Sequence, residues 1–195
     1  TKGENIMALT NEDNAFGLRA IGKVGQNRDN QGLSEYGIAA SSSAIYQNDP
    51  IMMAATGKII VGTAAAVLLG SLNGVFFTDA TTGKPTYANH LNASNTATDI
   101  VGFVSDDPYE RFEIQSDAAL TAAEVGLNAD IVYAAGATPN YVSKVELDHS
   151  DLKTATAQLR VIGISKDPQN NAAGVANVNA VVIINEHFLK GTVGI

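Results

Sequence analysis

The sequence predicts an all-β protein: an antiparallel β-barrel or sandwich of short strands, with an extended N-terminal arm and helix confined to short pieces. Three observations carry this. Short β-branched or aromatic runs recur between Gly, Asn, Asp and Pro turn signals, at the spacing of about 8–12 residues typical of sandwiches and barrels. One run alternates strictly, with Phe112 and Ile114 on one face and Arg111, Glu113 and Gln115 on the other. There is no βα rhythm, which argues against a parallel sheet.

Residues 1–32 differ from the rest. Asn, Gly, Asp and Gln dominate, and the apolar anchors Leu9, Phe16, Leu18, Ile21 and Val24 are isolated. Such a segment cannot build its own core and reads as an arm, extended or unordered until bound, or else folded back on the β domain. Met7-Ala8-Leu9-Thr10 reads as a natural start, with Thr1 to Ile6 an upstream extension or an added remnant.

Residues 33–195 read as a single β-rich domain. Strands are predicted at 33–39, at 44–46 after a Ser-rich turn, and at 51–55 after Asn48-Asp49-Pro50. Further strands follow at 58–63 and 74–78, with a short edge strand at 85–87. Residues 100–104 and 109–115 read as a hairpin about Asp106-Asp107-Pro108, where proline fixes its φ and aspartates cap the turn. Residues 118–124 are good helix formers stopped by Gly126, enough for two turns at most. Later strands are predicted at 130–133, 141–147, 159–165 and 180–185, and no internal repeat stands out at solenoid periods.

Composition narrows the function. With 195 residues and 45% apolar content the chain can bury a substantial core without staples. The absence of cysteine excludes a disulfide scaffold, a thiolate metal site and a cysteine nucleophile. The longest apolar run, 59–69, is broken by Gly62 and Thr63 and falls short of the ~20 residues of a membrane helix. The N-terminus lacks the basic-then-apolar pattern of a secretion signal. A net charge of −8 with scattered Lys and Arg argues against nucleic acid.

Candidate chemistry is sparse. Gly17 to Lys23 fits seven positions of a phosphate-binding loop, but Val24 replaces the Mg²⁺-binding hydroxyl and neither a preceding strand nor a following helix is predicted. His90, His149 and His187 lack zinc-site spacing and read as surface residues. Asp106, Asp107, Glu110 and Glu113 do not match a calcium loop and read as turn caps and a solvated strand face. Ser41-Ser42-Ser43 is not a nucleophile elbow. The expectation is therefore no catalytic residue, no metal and no cofactor.

Several passages, taken in order, resemble one family. They are Phe16-Gly17-Leu18-Arg19, Tyr36 to Ile38, Tyr46 to Pro50, and Gly74 to Ala80 leading to Gly83-Lys84-Pro85. Asp106-Asp107-Pro108 with Arg111 to Gln115 follows, then Val125 to Ala129, Leu159 to Gly163, and Ile184 to His187. From about Asn14 to His187 the chain is similar to the decoration (cement) proteins on the heads of tailed bacteriophages. The resemblance implies a non-enzymatic virion protein, made in the host cytoplasm, that binds the outer surface of an assembled head and bridges major capsid subunits. It also implies homotrimers at three-fold or quasi-three-fold positions. The arm would then dock through Phe16, Leu18 and Ile21, with Arg19 pairing to an acidic or carbonyl-rich site on the shell. A tail or fibre-associated virion protein is one alternative. A carbohydrate-binding β-sandwich is another, and it would want exposed aromatics on one face.

Overall fold

The computed structural model describes residues 10–25, 32–39 and 43–191; the expected start at Met7, residues 26–31 of the arm, and Ser41 and Ser42 lie outside them. Strands make up 39% and helical turns 5%, the latter all short 3₁₀ pieces, so the chain is all-β. In chain order the strands are β1 (Arg19–Lys23), β2 (Ser34–Gly37), β3 (Pro50–Met53), β4 (Ile59–Val61), β5 (Gly70–Thr78), β6 (Pro85–Ala88) and β7 (Val101–Ser105). They continue as β8 (Glu110–Gln115), β9 (Asn128–Ala129), β10 (Ile131–Val132), β11 (Glu146–Leu147), β12 (Leu159–Ile164) and β13 (Asn179–Ile184). The expected strand at 44–46 is only a bridge between Ile45 and Leu91, and the helix expected at 118–124 is the single 3₁₀ turn Ala122–Glu124.

The strands form a six-stranded, a five-stranded and a two-stranded antiparallel sheet; the last two join through Asp130 into one unit, and an isolated parallel bridge closes each of the two resulting units. The first runs β2-β7-β5-β3-β4, with β6 also on β5, and a parallel bridge between Ile38 and Ile59 returns β4 to the end of β2. The second runs β8-β13-β12-β9, passes through Asp130 into β10, pairs β10 with β11, and returns to the end of β8 through a parallel bridge between Ser116 and Leu147. β1 adds to the outside of the second sheet along β8.

The two barrels share one topology. Numbering the strands within each barrel, with β6 left out of the first and β9 and β10 counted as one in the second, both read 1-5-4-2-3, and both close by a parallel contact between strands 3 and 1. Registers agree residue by residue: Tyr36 faces Gly102 as Ile114 faces Ala180, and Ile51 faces Gly70 as Ala129 faces Leu159. Even the β-bulge recurs, between Leu72 and Gly74 in the first barrel and between Val161 and Gly163 in the second. Equivalent positions fill both interiors. Ile59, Leu72 and Val104 are core residues of one, Leu147, Val161 and Val182 of the other. Gly102 stands where a Cβ would meet the Ile59 Cδ1 at 2.8 Å; alanine occupies the equivalent place as Ala180. The chain therefore repeats one small-barrel topology.

This corrects one expectation. β7 and β8 are not a hairpin: they belong to different sheets, and Asp106-Asp107-Pro108 is the joint between the barrels. The β region expected as one domain from residue 33 holds two hydrophobic cores. Neighbouring side chains split between them, Leu69 entering the first core and Leu68 the second. Backbone struts lock the pair: Leu68 N donates to Glu186 O (3.0 Å) and Phe188 N to Leu68 O (2.8 Å). The buried Gln158 amide donates to Thr63 O (2.8 Å) and Ala66 O (2.7 Å), and the Tyr141 ring stacks on His90 at 3.8 Å.

Candidate functional site: an amide-lined groove around Phe16

Residues 10–25 are folded back onto the β domain, the second of the two readings of that stretch. Buried side-chain amides hold the segment against the second barrel. Asn170 accepts from Glu12 N (3.1 Å) and donates to Glu12 O (2.8 Å); Gln115 accepts from Asn14 N (3.0 Å) and donates to Glu12 O (2.8 Å). Asn11 accepts from Ala172 N (3.1 Å) and donates to Ala176 O (2.9 Å). These amides supply the partners that an apolar-poor segment needs for its backbone.

The chain then turns at Gly17, whose φ of +73° and surroundings admit only glycine: a Cβ there would lie 2.4 Å from Asn48 O and from the Ser143 Cβ. Leu18 N donates to Asn48 O (2.9 Å), and the side chain is fully buried in the second core. Of the four expected docking residues, Leu18 therefore packs internally. Arg19 makes an ion pair with Glu113, its guanidinium carbon 4.5 Å over the Phe16 ring. Glu113 is buried and also accepts from Ser165 and from Asn179 Nδ2 (3.2 Å). Ile21 remains exposed at 40%. Thus the expected solvated face of β8 is covered: Glu113 and Gln115 are buried because the N-terminal segment lies over them.

Phe16 stands where three hollows meet. One of about 410 Å³ is lined by Phe16, Arg19, Gln47, Asn48, Asn73 and Val142. A second of about 400 Å³ is lined by Asn14, Phe16, Thr138, Asn140, Val142 and Lys144. A smaller one of about 120 Å³ lies between Phe16, Arg19, Asp167, Gln169 and Asn179. One ring, two cations and a series of carboxamides make a surface suited to gripping polypeptide backbone and polar side chains, since each amide offers both a donor and an acceptor. Sequence reasoning named Phe16 and Arg19 but missed the carboxamides, which come from loops far apart in the chain and carry no local signal.

The other candidates have structural partners. Lys23 lies on Asp107 (2.6 Å), holding that carboxyl below its usual range, and the loop-like Gly17 to Lys23 run is a turn at Gly17 followed by β1 itself. Asp106 accepts from Ser34 Oγ (2.9 Å) and from the Tyr36 hydroxyl (2.6 Å), whose pKa burial and this bond push up to about 12. Glu110 accepts from Gly22 N (3.2 Å), and burial pushes its pKa up. His149 meets Glu124 (3.1 Å), while His187, expected at the surface, is buried at the joint with Nδ1 accepting from Leu189 N (3.1 Å). Among the described residues no group of three His, Cys, Asp or Glu is placed to hold a metal. Compared with protein-family models, with curated proteins and with solved structures, the chain matches none.

Proposed function

We propose that this chain is a capsid decoration subunit that binds the outside of an assembled phage head and bridges neighbouring major capsid subunits. The observation that carries the reading is the ordered set of passages from Phe16 to His187 that resemble that family. Two further features support it. The groove around Phe16 offers carboxamides and two cations to a protein surface, and the acidic chain stays soluble and self-repelling until it docks. A protein that binds only the closed shell stabilises it by mass action. On this reading three copies associate at a three-fold or quasi-three-fold position, the closed symmetry usual for homo-oligomers. Docking uses Phe16, Arg19 and Ile21 at the surface of a folded segment. It does not use Leu18, whose side chain is enclosed.

The test is binding to heads, purified without this protein, of the phage that encodes it. Saturable decoration is expected at a copy number set by the head's symmetry, with images showing clustered copies in contact. Phe16→Ala should weaken attachment by roughly tenfold, the effect of removing one well-packed anchor. Absence of binding, isolated copies, or a few copies confined to the tail would refute the reading. Truncation is a poor test, because deleting residues 8–25 also removes β1 and uncovers Glu113 and Gln115.

A further inference from the structure

Asn73 is followed by Gly74, and each of the chain's other asparagines precedes a residue that carries a Cβ. The pair lies within β5, where the register against β7 shifts between Leu72 and Gly74. Leu72 faces Val104 and Gly74 faces Phe103, which makes Asn73 the extra residue of the β-bulge. A bulge leaves its extra residue unpaired and disrupts the ladder locally. The second barrel supplies a comparison. Its equivalent bulge, between Val161 and Gly163, holds Ile162 ahead of the glycine and so carries no carboxamide.

The surroundings leave the Asn73 side chain room to turn. Asn73 is exposed, whereas Leu72 and Val75 are buried. Among the described residues its carboxamide has no hydrogen-bond partner, in contrast to those of Asn11, Asn128, Asn170 and Asn185. The last torsion of an asparagine is broad, so an unbonded carboxamide samples many orientations. Gly74 adds a backbone nitrogen with no neighbouring Cβ to hinder approach and with the widest range of φ. Asn73 also lines the hollow of about 410 Å³ that Phe16, Arg19 and Asn48 line.

We propose that Asn73 is a site of spontaneous covalent modification, at which the Gly74 backbone nitrogen attacks the Asn73 side chain and the asparagine becomes aspartate or isoaspartate. The nitrogen bonds to Cγ and gives up its proton, and the side-chain amine leaves as ammonia, closing a five-membered succinimide. Water then adds to either ring carbonyl and breaks that carbon's bond to nitrogen. Opening at Cγ gives aspartate. Opening at the backbone carbonyl gives isoaspartate, in which the main chain runs through the side chain and gains one methylene. In all, one water is consumed and one ammonia released, and nothing is oxidised or reduced. Either product places a new carboxylate at the hollow that Arg19 lines, and the isoaspartate also breaks the strand periodicity of β5. The groove around Phe16 therefore changes charge as the protein ages. This inference does not depend on the decoration reading.

The test is incubation of the full, folded chain in mildly alkaline buffer, followed by peptide mass mapping, with the same chain unfolded in urea as the reference for unhindered reaction. Conversion is expected in the peptide that holds Asn73, as two products of equal mass, one of them labelled by an isoaspartate methyltransferase. Its rate should lie within about tenfold of the unfolded chain's, the protection that a shallow local opening leaves. Asn73→Ser, a change at an exposed site, should abolish both products and the matching release of ammonia. Three outcomes would overturn the proposal: Asn73 intact in the folded chain after the unfolded chain has converted, conversion at other asparagines at an equal rate, or ammonia release unchanged in Asn73→Ser.

Discussion

Replacing Leu18 with alanine is expected to destabilise the isolated protein by about 2–5 kcal/mol, the usual effect of truncating a fully buried leucine. Leu18 packs in the second core with Phe112, Ile114 and Val161, and its neighbours are fixed by Gly17 and by the bond to Asn48 O, so the site has little room to collapse. Ile21→Ala, at an exposed position three residues on, should change stability by no more than about 0.5 kcal/mol. Urea denaturation of the two variants beside the parent measures both. Were residues 10–23 a loose arm that orders only on a partner, both substitutions would leave the free protein's midpoint unchanged.

The second large effect concerns a buried carboxylate. Asp49 is fully enclosed at the turn into β3; its Oδ2 accepts from Tyr46 N (2.8 Å), while Oδ1 has no hydrogen bond. Burial pushes its pKa up to about 6, and the nearby Ser143 hydroxyl offsets this only in part. Between its ordinary value of 3.8 and about 6 the folded protein holds a proton that the unfolded chain has released. Stability from this group is therefore greatest below pH 3.8 and falls as pH rises through 6, by about 3 kcal/mol in all. His187 acts in the opposite sense. Burial pushes its ring down from 6.5 to about 4, so its contribution is present above pH 6.5 and lost as pH falls through 4. Together the two nearly cancel between pH 4 and 6.

Asp49→Asn removes one of these opposed contributions. The asparagine Oδ1 can still accept from Tyr46 N, and its Nδ2 can donate to Ser143. The variant is expected to be more stable than the parent by about 2–3 kcal/mol at pH 7 and to match it near pH 4. Its own stability should climb between pH 4 and 6.5. Denaturant midpoints across that range decide the matter; a variant no more stable than the parent at pH 7 would contradict the assignment.

Fold class and most strands were legible because they rest on local signals. Alternation, β-branched runs and Gly, Asn, Asp and Pro turns located β3 to β8, β12 and β13 to within a few residues. The errors came from pairing, which is not local. Val101–Ser105 and Glu110–Gln115 flank a tight turn and look like a hairpin, yet each finds its partners far along the chain, so the joint between two barrels passed for a loop within one. The repeated topology was hidden because equivalent positions keep burial and register more than identity: Tyr36 matches Ile114, and Ile59 matches Leu147. Strand β1 was hidden for another reason. The stretch ahead of it is polar because the amides of Asn170 and Gln115 hold it at Glu12 and Asn14, and hydropathy does not register such partners. Phe16 and Arg19 were found as lone apolar and basic residues in a polar stretch, whereas the groove around them exists only once distant loops converge.

The central claim is that residues 10–23 are built into the second barrel, leaving the groove around Phe16 as a formed surface before any partner arrives. Native-state amide hydrogen exchange on the free protein tests this most directly. The amides of Leu18, Gly22 and Val24, which donate to Asn48 O, Glu110 and Tyr109 O, are expected to exchange as slowly as those of β8. Exchange of these three at the rate of an unfolded chain, with β8, β12 and β13 still protected, would contradict it.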